Sequence, residues 1–190
     1  MLGAIVLAGG NARRLGGFSK GDVTIGGETM LRRVTDGCQQ AGVPADNIVV
    51  VGHAETELKR TVEDPPRSGP AAGIGAGLDH VDGDRLFILS CDIPFIASGL
   101  PELIESFTGE GVCFGGERTQ YLAGLYSAEA VRRRVAELNS EGGLVGLPVR
   151  AIMKALDVTV LGPNRAARDL DTWEEVEEAR GAAAPCPSLQ

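Results

Sequence analysis

Nothing in this 190-residue chain reaches about 18 uninterrupted apolar residues, so no membrane span is expected. The sequence passes from Met1 straight into a short apolar segment and a glycine loop without a signal-peptide pattern, and a cytoplasmic protein is expected. Positive charge is in short supply. Lys and Arg number 18 against 26 Asp and Glu, a formal net charge of −8, which argues against a nucleic-acid partner and requires any anionic ligand to be held by a local basic pocket. Cysteine is sparse and scattered: Cys38, Cys91, Cys113 and Cys186 form no Cys-x-x-Cys pair and have no histidine at metal-ligand spacing, so they read as reduced thiols. The two histidines, His53 and His80, are isolated and read as ordinary surface or strand-end residues. There is no internal repeat and no linker. With 43% hydrophobic residues, the chain suits one domain over residues 1–180, followed by an Ala/Pro-rich tail, 181–190, expected to be disordered.

Within that frame the first twenty residues stand out. Ala4-Ile-Val-Leu-Ala8 reads as a buried strand, and Gly9 and Gly10 follow it directly, with Arg13, Arg14 and Lys20 close behind. Adjacent glycines let the backbone bend and aim successive N–H groups at one anion, and three cations nearby suit a phosphate. Two common phosphate loops are excluded. A Walker A loop needs Gly-Lys-Ser/Thr, but Gly17 is followed by Phe18-Ser19 and Lys20 by Gly21; a dinucleotide fingerprint needs Gly-x-Gly-x-x-Gly, which neither Gly9-Gly10 nor Gly73-Ile-Gly-Ala-Gly77-Leu78 provides.

Downstream, the pattern predicts a helix from Thr29 to about Ala41, a strand over 47–51 and a polar stretch from Glu55 to Arg60. A Pro/Gly-rich segment, Glu63 to Pro70, comes next without regular structure. A small-residue helix over 71–80 leads to a strand at Leu86–Leu89, which runs into Ser90-Cys91-Asp92-Ile93-Pro94. Helices are predicted near 99–107, after Ser127, over 148–156 and over 172–180, with strands at 111–114, 121–126 and 158–161. This alternation predicts an α/β fold: a single Rossmann-like domain with a mostly parallel central sheet flanked by helices. Ligands in such sheets bind beyond the carboxyl ends of the strands, where the glycine loop and Asp92 both fall.

Asp92, at a strand end and stiffened by Pro94, suits magnesium, which takes oxygen ligands from one or two carboxylates plus substrate phosphates. It suits a turn aspartate bonded to its own backbone equally well. Asp169-Leu170-Asp171 is a second acidic cluster whose alternation could turn both carboxylates one way; Asp171 can also cap the helix after it.

These motifs together resemble a known family. Leu7-Ala-Gly-Gly-x-x-x-Arg14-Leu-Gly16 with Lys20 resembles the signature of nucleotidyltransferases that activate sugars, alcohols and cofactors with nucleoside triphosphates. Glu63-Asp64-Pro-Pro-x-x-Gly69-Pro70-x-x-Gly73-Ile74, with Cys91-Asp92-Ile-Pro-Phe95, narrows the resemblance to the molybdenum cofactor guanylyltransferase family. Asp169-Leu-Asp-Thr172 is similar to the C-terminal motif of its relatives. The resemblance implies a fold of the nucleotide-diphospho-sugar transferase type, and transfer of GMP from GTP to molybdopterin with Mg²⁺ as cofactor and pyrophosphate as the second product. It implies transient contact with molybdoenzymes or other cofactor-biosynthesis proteins. By residue, it implies that Leu7, Ala8, Gly9 and Gly10 meet the nucleotide, Lys20 the phosphates, and Asp64 and Gly69 the guanosine. Lys20, Arg14 and Asp92 are then catalytic, and Asp92, Asp169 and Asp171 the metal ligands. The chain departs from the family pattern at Ser19, where an acidic residue is common, and at Asp169-x-Asp171, where guanylyltransferases often carry Asn-x-Asn. Cytidylyl transfer to molybdopterin and guanylyl transfer to another phosphorylated precursor therefore stay open. So does nucleotide binding without catalysis, although two separated carboxylate sites argue against it.

Overall fold

The computed structural model describes residues 1–9 and 19–183. Its centre is a sheet of seven strands among the described residues, in the order β5-β4-β1-β6-β8-β7-β9. The strands are β1 (Leu2–Ala8), β4 (Ile48–Gly52), β5 (Lys59–Thr61), β6 (Arg85–Ser90), β7 (Gly111–Gly115), β8 (Gln120–Ser127) and β9 (Val158–Pro163). A small hairpin of β2 (Thr24–Ile25) and β3 (Glu28–Thr29) stands apart. All the sheet's pairings are parallel except the two made by β8, which runs antiparallel to both β6 and β7.

The central strands are apolar throughout because both faces are covered. Side chains alternate along a strand. Thus Ala4, Val6, Val50, Phe87 and Leu89 pack toward α1 (Met30–Gln40) and α3 (Leu100–Glu105), whereas Ile5, Leu7, Val49, Val51 and Ile88 pack toward α2 (Pro70–Leu78) and α4 (Ala128–Glu141). The small residues of α2 let that helix lie close on β1: a Cβ on Gly77 would come within 2.7 Å of the Ile5 side chain. A third apolar cluster joins the β2–β3 hairpin to α6 (Trp173–Ala183) through Val23, Ile25, Met30, Leu170 and Val176.

The sequence expectation needs four adjustments. The polar stretch after β4 contains the edge strand β5, whose Lys59 and Arg60 are exposed and so carry no apolar signature. The β2–β3 hairpin is too short to leave a periodic pattern. The helix expected over 148–156 is a single turn, α5 (Arg150–Met153). The last helix runs on to Ala183, three residues past its expected end, and residues 184–190 lie outside the described residues. No helix among the described residues is long and apolar enough to cross a membrane.

Candidate active site

The chain leaves β1 toward β4 on one side and returns to β6 on the other, so the crevice at the carboxyl ends of β1 and β6 is the topological switch point of the sheet. Leu7 pairs with Ser90, and the Cys91 N–H continues the ladder by donating to the Leu7 carbonyl at 3.0 Å. Gly9 and Asp92 each come two residues after that pair and emerge on the same edge. Gly52 lies opposite Ala8 at the end of β4.

Lys20 heads a 3-10 turn, Lys20–Asp22, and its ammonium donates to Asp92 Oδ2 at 2.9 Å and to Asp171 Oδ1. A backbone bond brings the second acidic segment alongside the first, the Leu170 N–H donating to the Asp92 carbonyl at 2.9 Å. Asp171 does not cap α6. Thr172 does, in a reciprocal box: its hydroxyl accepts from the Glu175 N–H at 3.3 Å while Glu175 Oε2 accepts from the Thr172 N–H at 2.9 Å. The Asp171 carboxylate is thereby left for Lys20. Burial alone would lower the Lys20 pKa, but the hydrogen bonds and charges of Asp171 and Asp92 outweigh it and hold the ammonium above its ordinary 10.5.

Asp169 does not reach Lys20. It lines a cavity of about 260 Å³ together with Asp92, Gln120 and Tyr121. Its carboxyl is pushed up from the usual range by desolvation, then by the charges of Asp171 and Asp92. A larger cavity of about 410 Å³ adjoins it, the two sharing Ser90 and Leu122. The larger one is bounded by Leu7 and Gly9, by Gly52 and His53, and by the turn from Glu63 to Pro70. Its size suits a small-molecule ligand.

Of the residues singled out from sequence, Leu7, Gly9 and Gly69 line the larger cavity. Ala8 is buried toward α1 instead. Asp64 is exposed and does not line the cavity, which its neighbour Glu63 does. Gly10, Arg13 and Arg14 lie outside the described residues. The three proposed metal ligands are not gathered into one cage: Asp92 and Asp171 meet on Lys20, Asp92 and Asp169 on the smaller cavity. No group of three His, Cys, Asp or Glu side chains converges on a metal position among the described residues. The donors still suit magnesium, whose sites combine one or two carboxylates with substrate phosphates, and the crowding at Asp169 is what a divalent cation would relieve.

Sequence reasoning missed His53, Glu63 and Arg67 on the larger cavity and the Thr119–Leu122 segment on the smaller one, of which Leu122 also lines the larger. His53 comes directly after a strand, which was signal enough. The β8 residues needed the pairing of β8 with β6, which brings the start of this antiparallel strand to the end of β6. Cys38, Cys91 and Cys113 are buried and unpaired, and Cys186 lies outside the described residues. Burial pushes the Cys91 thiol well up, so it offers no nucleophile beside Asp92. The Ser19 hydroxyl is buried without a partner among the described residues.

Comparison with known proteins gives a consistent result. The family model for the MobA-like NTP transferase domain matches residues 4–160. A molybdenum cofactor guanylyltransferase of Shewanella baltica (strain OS155 / ATCC BAA-1091) is 28% identical over 116 residues, 56% of this chain and 57% of that protein, so the chain spans little more than half the length of this relative. One from Desulfosudis oleivorans is 27% identical over 198 residues and 94% of each chain. Among solved structures, molybdopterin-guanine dinucleotide biosynthesis protein A from Archaeoglobus fulgidus has a TM-score of 0.69 at 17% identity. It covers 96% of this chain and 98% of its own, a likeness of fold.

Proposed function

The chain belongs to the MobA-like NTP transferase domain family across residues 4–160, and from that premise we propose that it transfers GMP from GTP to the phosphate of molybdopterin, releasing pyrophosphate. The observation that carries this reading is the Lys20 ammonium shared by Asp171 and Asp92, with Asp92 on the wall of the smaller of two adjoining cavities. Nucleotidyl transfer brings two anions together, and it needs adjoining compartments for them with charged groups at hand. The larger cavity takes the nucleotide, and the smaller takes the phosphorylated acceptor. The names of the relatives supply GTP's base and the acceptor's identity.

In this mechanism the backbone from Leu7 to Gly10 cradles the nucleotide, and Lys20 with Arg14 neutralises the triphosphate. Asp92 would hold magnesium, with Asp169 and Asp171 as the further carboxylates. When bound, the metal would supply positive charge to offset the charge of the reacting phosphates. An acceptor phosphate oxygen forms the new bond to the α-phosphorus in line with the bridging oxygen, whose bond breaks as pyrophosphate departs. Fixed charges aimed at the oxygens where charge develops lower the barrier. No covalent protein intermediate is needed.

The test is a pyrophosphate-release assay offering each NTP in turn with molybdopterin and Mg²⁺. A pocket that would leave polar groups unpaired around the wrong base discriminates strongly, so GTP should exceed CTP and ATP by at least roughly a hundredfold in kcat/KM. Equal or better turnover with CTP overturns the guanylyl assignment. Failure with every NTP overturns the acceptor.

A further inference from the structure

The turn after β5 places an acidic and a basic residue on one wall of the larger cavity. Half-buried Glu63 and exposed Arg67 both line it, whereas Asp64 between them, also exposed, lies outside it. Glu63 is oriented from one side only: its Oε1 accepts from the Arg67 N–H at 2.9 Å, and among the described residues nothing donates to Oε2. No cation pairs with it among the described residues either. The turn is held in place from within and from outside. Arg67 takes a left-handed φ of 67°, the Ser68 hydroxyl donates to the Pro65 carbonyl, and the Gly146 N–H donates to the Ser68 carbonyl at 2.7 Å. A carboxylate on a braced turn, with one oxygen committed and one unspent, is prepared to accept donors from a ligand.

The chemistry of the bases decides which donors these are. Guanine presents N1–H and an exocyclic N–H side by side, with O6 and N7 as acceptors; cytosine presents one amino group beside two acceptors. Glu63 complements the donor edge of guanine, and Arg67 its acceptors. Resting on the nucleotide reading above, we propose that Glu63, rather than Asp64, is the residue that selects the base. Its carboxylate accepts the guanine N1–H and 2-amino N–H while Arg67 donates to O6 or N7.

The test is calorimetric titration of the purified protein with GTP, ITP, 2′-deoxy-GTP and CTP in Mg²⁺ without acceptor. It compares wild type with Glu63→Gln, which keeps an oxygen for the Arg67 N–H and turns an amide N–H₂ toward the base. ITP lacks the 2-amino group, so wild type should bind it roughly tenfold or more weaker than GTP, the scale of a hydrogen bond to a charged group. Glu63→Gln should weaken GTP by a similar factor and bring the GTP-to-ITP ratio close to one, leaving the GTP-to-deoxy-GTP ratio unchanged. Equal binding of ITP and GTP by wild type, which needs no variant to fold, overturns the proposal. So does a GTP-to-ITP ratio that survives the substitution, or a loss confined to the ribose comparison. A wild type that prefers CTP overturns the guanylyl reading itself, an outcome distinct from GTP preference that is indifferent to Glu63.

Discussion

Replacing Lys20 with methionine should separate what this residue does for the fold from what it does for the reaction. The side chain is 24% exposed and its partners Asp92 and Asp171 are 16% and 41% exposed. Removing a charge from a buried pair costs about 3–5 kcal/mol and from a surface pair about 0–1. This site lies between: Asp92 is the better buried partner, and the exposure of Asp171 calls for discounting its share. The expected loss is roughly 1–3 kcal/mol, or about 2–12 °C in Tm for a domain of this size. Because the folded pKa of Lys20 is raised above 10.5, its stabilisation is fully present below that value and fades only as pH rises through the folded pKa. The Tm difference between wild type and variant should therefore stay flat from about pH 6 to 9. Pyrophosphate release, measured well below either Tm, should fall roughly 10²- to 10³-fold, the loss found when one preorganised charge is removed from a transition state. Near-normal turnover in the folded variant would refute the catalytic role, and an activity loss that merely tracks the unfolded fraction would make Lys20 structural.

Two further substitutions probe the carboxylates and the sheet edge. Asp169 has a raised folded pKa, so its contribution is present below 3.8 and is lost as pH rises through the folded value; at neutral pH its ionised form burdens the fold. Asp169→Asn should raise Tm at pH 7 by about 1–4 °C, since the group's exposure limits the gain to about 1 kcal/mol or less, and the difference should shrink toward pH 3 in a calorimetric series; a less stable variant at pH 7 would contradict this. Gly52 ends β4 at φ 141°, where a Cβ would stand 2.5 Å from the Ala8 carbonyl oxygen. Gly52→Ala should therefore cost roughly 2–4 kcal/mol and weaken GTP binding, and a Tm within one degree of wild type would show that the edge can yield.

Much of the architecture was legible because buried parallel strands announce themselves. Ala4–Ala8, Ile48–Val51 and Leu86–Leu89 are apolar at every position, since each alternates between two covered faces. Elements without that pressure escaped. The edge strand β5 has solvent on its outer side, and its Lys59-Arg60 reads as loop. The direction of β8 follows from its short connection to β7, but its insertion beside β6, where the Asp84 carbonyl accepts from the Ala128 N–H at 2.9 Å, does not. That is a long-range contact with no local trace.

The site divides along the same line. Positions fixed by strand register could be read: Gly9 after one apolar run and Asp92 after another were bound to emerge together once β1 and β6 paired with Leu7 opposite Ser90. Positions inside an irregular turn could not. Glu63 and Asp64 are adjacent and both acidic, and with no period-2 or 3.6 rule across Pro65-Pro66, nothing local says which carboxylate enters the cavity. In the fold the turn's own Arg67 N–H engages Glu63, and the Gly146 N–H from a distant loop holds Ser68. The same reasoning accounts for Asp171. As a cap its carboxylate would be consumed by α6, but Glu175 and Thr172 satisfy that helix start between themselves, and only then is the aspartate left to bind Lys20, 151 residues away in sequence.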